Sequence, residues 1–110
     1  WHPAKPVLIT GGKDAHLRVW NVRNLFTELM AVPAHNFAIY SITFSPDGLL
    51  MATASRDKTI KLWDAGTLSP VQKIDSKSGG HGHSVNDLLW VDNETMVSCS
   101  DDRSILVFER

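Results

Sequence analysis

Apolar and polar residues alternate in short bursts along this chain, and clusters of turn-forming residues separate the bursts. In Thr59-Ile60-Lys61-Leu62-Trp63, Ile60 and Leu62 alternate with Thr59 and Lys61. Successive side chains of a strand point to opposite faces, so this stretch predicts a β-strand with Lys61 turned to solvent. Ile39-Tyr40-Ser41-Ile42-Thr43-Phe44 is β-branched and aromatic and predicts another. It stops at Ser45-Pro46-Asp47-Gly48, four residues that favour turns. Residues 49–55 predict the next strand, Arg56-Asp57-Lys58 a tight turn, and Asp64-Ala65-Gly66-Thr67 a break. Residues 68–74 predict a further strand, which Pro70 assigns to a sheet edge. Residues 75–83 hold too few apolar side chains to pack and predict a loop within one domain.

The pattern repeats. Residues 53–64, running from Thr53 through Asp57 to Trp63-Asp64, have an upstream echo in residues 10–21 and a downstream echo in residues 98–109. Each copy has a hydroxyl residue, an aspartate four positions on and a large aromatic six further. These are Thr10, Asp14 and Trp20; Thr53, Asp57 and Trp63; and Ser98, Asp102 and Phe108. The aspartates are spaced by 43 and 45 residues, as are the aromatics. Trp1-His2-Pro3 matches Phe44-Ser45-Pro46 and is read as the end of a strand, with Trp90 in the third copy. Ala34-His35 matches Gly80-His81. Within this frame residues 22–28, despite some helical character, become a connection between strands.

A four-stranded unit of about 40–45 residues, with Gly-His near its start and Trp-Asp near its end, is the signature of a propeller blade. On these residues the whole chain resembles the WD-repeat (WD40) family, most closely in the middle copy. The resemblance implies an all-β fold, a partial β-propeller of four-stranded antiparallel blades. Blade boundaries are expected at 1–34 (lacking its first strand), 35–79 (complete) and 80–110 (lacking its last strand). Since the family closes a ring from about 4–8 blades, the remainder is expected from missing blades of a longer chain or from self-association of copies.

Composition narrows the functional classes. Hydrophobic residues make up 43%, charged residues 21%, and the net charge is −1. That balance offers no bulk charge to hold nucleic acid or an anionic membrane. No apolar run approaches the roughly 20 residues of a membrane-spanning helix. Cys99 is the only cysteine, which excludes an intrachain disulfide and favours a cytoplasmic location. The chain opens on Trp1 rather than methionine, which suggests a processed or excised N-terminus.

Several residues invite chemical readings. Ser/Thr, His and Asp suggest a hydrolase, but a catalytic triad occurs once per site, whereas this set recurs at the repeat period. His81-Gly82-His83, with Cys99 and His2, suggests zinc, but no CxxC or HExxH spacing accompanies them. Gly11-Gly12-Lys13 resembles the end of a phosphate loop, but Asp14 follows where Ser or Thr is needed. Trp1, Trp20, Trp63 and Trp90 sit at strand ends, where core packing is favoured over a stacking platform, and Cys99 is expected in a packed strand. No cofactor and no metal is expected, and the chain reads as non-catalytic.

The resemblance instead implies a structural tetrad in each blade: histidine, hydroxyl, aspartate and tryptophan. Its chemistry is coherent. The aspartate accepts from the histidine, the hydroxyl joins the other imidazole nitrogen, and the indole, a donor only, bonds the hydroxyl. The middle blade supplies His35, Thr53, Asp57 and Trp63. The first supplies Thr10, Asp14 and Trp20. The third supplies Ser98, Asp102 and Phe108, which has no donor, with a histidine at 81 or 83; the offsets to Val85, Leu88 and Trp90 point to His81. In the family, partner contacts come from the position before the turn aspartate and from the start of the inner strand. Here these are Lys13, Arg56 and Asp101, with Asn36, Phe37 and Tyr40. The function expected is a non-catalytic scaffold for protein–protein interaction. The alternative is a regulatory or substrate-binding propeller module of a larger enzyme.

Overall fold

A computed structural model of the chain describes residues 1–109. Ten strands form three antiparallel sheets, with no α-helix among the described residues. The first sheet holds β1 (Val7–Gly11), β2 (His16–Asn21) and β3 (Thr27–Pro33). The second holds β4 (Ile39–Phe44), β5 (Leu50–Ser55), β6 (Ile60–Asp64) and β7 (Pro70–Ile74). The third holds β8 (Val85–Trp90), β9 (Thr95–Ser100) and β10 (Ile105–Glu109). Strands are paired in chain order within each sheet, as the short turns between them dictate.

The middle sheet is covered on both sides, and β5 records this directly: all six of its residues are buried. Ala52 and Ala54 join the core shared with the third sheet, alongside Leu62, Val85 and Trp90. Met51, on the opposite side of the pleat, joins the core shared with the first sheet, alongside Leu17, Val19 and Trp63. The small alanine side chains let β8 pack closely over β4 and β5. Gly11 serves the other junction: a Cβ there would lie 2.7 Å from Cγ2 of Ile39, so only glycine allows β1 and β4 this approach. Polar bonds stitch the sheets as well. The Ser41 hydroxyl donates to Asp87 at 2.9 Å, and the Asp47 N–H donates to the Asn93 side chain at 2.8 Å.

Several expectations need correction. Residues 1–3 form no strand. Instead, Nδ1 of His2 accepts the N–H groups of Ala4 and Lys5, and Nε2 donates to the Ala65 carbonyl at 2.7 Å. This tucks the imidazole edge-on against Phe44 and leaves Trp1 71% exposed, not packed. Trp63 and Trp90 are buried, and Trp20 is half-buried. Cys99 is also only half-buried. The strand expected over 68–74 begins at Pro70, because Leu68 takes a left-handed backbone (φ 57°) that a ladder cannot accommodate. The loop over 75–83 contains a 3-10 turn, Ser76–Ser78, capped by the Asp75 carboxylate. Lys61 is not simply a solvent-facing residue, since its ammonium donates to the Ala34 carbonyl.

Candidate functional site

Three turns of the same construction join β1 to β2, β5 to β6 and β9 to β10. In each, a backbone bond spans four residues: Ala15 N–H to Gly12 O, Lys58 N–H to Ser55 O, and Arg103 N–H to Ser100 O. The closing residue is left-handed every time, with φ of 68° at Ala15, 74° at Lys58 and 67° at Arg103. A type I turn followed by one left-handed residue is a standard three-residue hairpin link. The aspartate inside each turn caps it, with Oδ1 accepting the N–H of the residue two positions on: His16, Thr59 or Ser104.

The outer oxygen of the aspartate faces the incoming loop. In the middle sheet Nδ1 of His35 donates to Oδ2 of Asp57 at 2.9 Å. Nε2 of His35 lies 2.7 Å from the Thr53 hydroxyl, and the Trp63 indole donates to that same oxygen at 3.0 Å. With the imidazole neutral, the assignment closes: Nδ1–H donates to carboxylate, Thr53 O–H donates to Nε2, and indole N–H donates to Thr53 Oγ1. The side chain of His35 is fully buried and that of Asp57 nearly so. The third sheet repeats the geometry with His81, 2.8 Å from Asp102 and 2.7 Å from Ser98. His83 is exposed. Phe108 packs against the core without an indole donor, so among the described residues the Ser98 hydroxyl receives nothing in its place.

The first sheet departs from this plan. Trp20 donates to Thr10 at 2.9 Å, as expected from spacing. Oδ2 of Asp14, however, accepts the Arg18 guanidinium at 2.6 Å, and Arg18 also reaches Glu28 at 3.1 Å. The Arg18 hydrogen bond, with the His16 N–H, holds the Asp14 carboxyl at about 2, below its ordinary value of 3.8.

Two hydroxyl positions, each filled in the second and third copies, escaped the sequence reading. Thr59 donates to Oδ1 of Asp57 at 2.6 Å, and Ser104 donates to Oδ1 of Asp102. Ser55 and Ser100 accept the N–H of the turn aspartates at 3.0 and 3.1 Å. The signal was available, since both hydroxyls recur in the second and third copies, but the first copy has His16 and Gly12 at those positions. Among the described residues no buried side-chain nitrogen or oxygen lacks a partner.

These bonds act on the acidity of the aspartates. Burial alone would raise the Asp57 carboxyl, but bonds from His35, Thr59 and the Asn36 N–H outweigh it and hold it well below the usual range. Asp102 is lowered as well, chiefly by Ser104 and, against a desolvation penalty, by His81. A carboxylate that is more acidic when folded leaves the unfolded chain binding more protons as pH falls. Its contribution is therefore complete above the unfolded value and lost at lower pH. The expected result is a melting temperature that falls steadily from about pH 5 to about pH 2, with a shallower fall in Asp57→Asn. Parallel profiles for the two proteins would show that Asp57 carries none of the dependence.

The geometry offers little for catalysis. His35, Thr53 and Asp57 are engaged with one another in the interior. A groove of about 330 Å³ between the second and third sheets is lined mainly by apolar residues such as Leu62, Trp90 and Phe108. Among the described residues no three His, Cys, Asp or Glu side chains converge as a metal site requires.

The residues expected to face a partner fall in one row. The Gly12 carbonyl accepts the Ile39 N–H, and the Ala38 carbonyl accepts the Arg56 N–H. The Arg56 carbonyl accepts the Ser84 hydroxyl, and the Ser84 carbonyl accepts the Asp101 N–H. Lys13, Arg56 and Asp101 thus stand at one end of the three sheets, all exposed, with Asn36, Phe37 and Tyr40 beside them. The Arg56 guanidinium lies 5.7 Å over the Phe37 ring.

Comparison with known proteins agrees with this architecture. The family model "WD domain, G-beta repeat" matches residues 1–21, 26–64 and 70–109. The chain is 33% identical to the nuclear distribution protein PAC1 of Candida albicans over 98% of its length, and 38% identical to the cell division cycle protein cdt2 of Schizosaccharomyces pombe over 69%. Protein HIRA of Dictyostelium discoideum is 26% identical over 98%. The chain spans only 22%, 16% and 12% of these relatives. The matched units are offset from the sheets by one strand: residues 26–64 begin with β3 of the first sheet and end with β6 of the second. With three copies of one turn, one pattern of strands and matches covering most of its length, the chain belongs to the WD-repeat family.

Proposed function

We propose that the chain is a non-catalytic scaffold that docks a protein partner on the end of the sheets carrying Lys13, Arg56, Asp101, Phe37 and Tyr40. One observation carries the reading: the His, Asp and hydroxyl groups of the second and third sheets that could do chemistry are consumed in repeating, largely buried networks, whereas the residue before each turn aspartate is left exposed in a row. In this reading His35, Thr53, Asp57, Trp63 and their counterparts are pins that hold the row in place, dividing the chain into blades at 1–34, 35–79 and 80–110. Exposed aromatic residues beside an arginine are the side chains that dominate interface energetics. A cytoplasmic location belongs to the same proposal and rests on the single free thiol. The test is capture of interacting proteins by the wild type and by Arg56→Glu and Tyr40→Ala. Both variants are expected to lose the same partner while melting as the wild type does. A partner retained equally by both would remove this face from the proposal.

Further blades, from a longer chain or a second copy, complete the ring in this reading. Support comes from the third sheet, where Leu89, Ile105 and Val107 are more than half exposed. Light scattering on the isolated 12.2 kDa chain is expected to give a defined multiple of that mass. A monodisperse monomer that unfolds cooperatively would overturn the need for added blades.

A further inference from the structure

We infer that the docking end of the sheets selects an acidic peptide segment of its partner, with an apolar or aromatic residue next to the carboxylates. The inference rests on the docking face proposed above and goes further by assigning the partner's chemistry. It comes from an asymmetry between the acids and the bases of the three turns.

Every carboxylate there is already engaged within the chain. Asp14 accepts from Arg18 and the His16 N–H, and Asp57 accepts from His35, Thr59 and the Asn36 N–H. Asp102 accepts from His81, Ser104 and the Gly82 N–H. Asp101, the one acid in the exposed row, accepts from the Asn86 amide at 2.8 Å. The cations are not engaged. Lys13, Arg56, Lys58 and Arg103 are exposed, and none forms a side-chain hydrogen bond or an ion pair with another described residue. The face therefore presents cations without partners, while its carboxylates, the exposed Asp14 and Asp101 included, each accept from a group within the chain.

Arg56 is also prepared for a carboxylate. Its guanidinium lies 5.7 Å over the Phe37 ring, and its N–H groups make no hydrogen bond to another described residue. A guanidinium fork can take a carboxylate with two parallel hydrogen bonds, and the contact with the Phe37 ring limits the rotamer freedom lost on binding. Lys13 stands on the neighbouring turn, across Ala38 and Ile39 from Arg56, where it can meet a second carboxylate. Half-exposed Phe37 and Tyr40 supply the apolar contact between them. A net charge of −1 on the whole chain gives a polyanion such as nucleic acid no long-range attraction, which favours a short acidic segment.

The experiment selects a degenerate phage-displayed dodecapeptide library on the immobilised protein, in parallel with the Lys13→Glu/Arg56→Glu double variant. Peptides enriched on the wild type are expected to carry an excess of Asp and Glu beside an aromatic or aliphatic residue. Resynthesised, they should bind the double variant at least about tenfold more weakly and lose affinity as NaCl rises from about 50 to about 300 mM. Arg23→Glu, in the exposed β2–β3 connection at the opposite end of the sheets, should leave their affinity unchanged. Enriched peptides without acidic bias that still depend on Arg56 and Tyr40 would overturn the acidic class and leave the docking face standing. Peptides indifferent to the double variant, or none retained above bare support, would overturn the inference and count against the face. Tighter binding of a thymidine 20-mer than of any acidic peptide would overturn it in favour of nucleic acid.

Discussion

Asp57→Ala is expected to destabilise the chain more than any other single polar change. The substitution removes the acceptor for Nδ1 of His35, the Thr59 hydroxyl and two backbone N–H groups, those of Asn36 and Thr59. A buried polar group left without a partner costs about 1–3 kcal/mol. The losses do not add in full, because Asn36 is exposed and its N–H can turn to water. A net loss of about 3–4 kcal/mol follows, or a fall of at least about 12 °C in melting temperature at roughly 4 °C per kcal/mol. The reference is Lys77→Ala, because Lys77 is exposed and its side chain has no partner among the described residues. Thermal unfolding followed by circular dichroism compares the two, and equal shifts would show that the network does not hold the blade.

Thr53→Val tests the other end of the same network. Valine keeps the shape and the branching of threonine but removes the hydroxyl that serves His35 Nε2 and the Trp63 indole together. Both orphaned groups sit in the interior, and Thr53 itself has no exposed surface. The expected cost is about 2–4 kcal/mol, from two unpaired groups. Ser98→Ala orphans only His81 Nε2, because Phe108 has no N–H, and should cost about half as much. Urea denaturation of both variants resolves a difference of this size. A loss in Ser98→Ala equal to that in Thr53→Val would mean that the indole bond contributes nothing.

The period of the chain was legible because the turn chemistry is local. An aspartate that caps its own hairpin must sit at a fixed distance from the strands on either side, so Asp14, Asp57 and Asp102 mark all three turns. The side chains that the spacing aligned also meet in space: His35 with Asp57 and Thr53, and His81 with Asp102 and Ser98. What remained hidden was which of several competing partners, near or far in sequence, each side chain takes. Nothing in the spacing indicates that Arg18 reaches the aspartate oxygen that histidine takes in the other two turns. The exposure of Trp1 follows from His2, whose ring is held by backbone groups 2, 3 and 63 positions away. Thr59 and Ser104 were concealed by a single exception, the histidine at position 16.

The one-strand offset between sequence units and sheets bears on how this chain could be divided and rejoined. A break within residues 65–69, between two matched units, would leave β4, β5 and β6 on one piece and β7 on the other. The two pieces would own parts of the same sheet. The register of Ile60 with Ile74 and of Leu62 with Gln72 would then serve as their address. A connection that looks like a natural seam is therefore a site for split-protein reassembly, where the halves find each other through a backbone ladder.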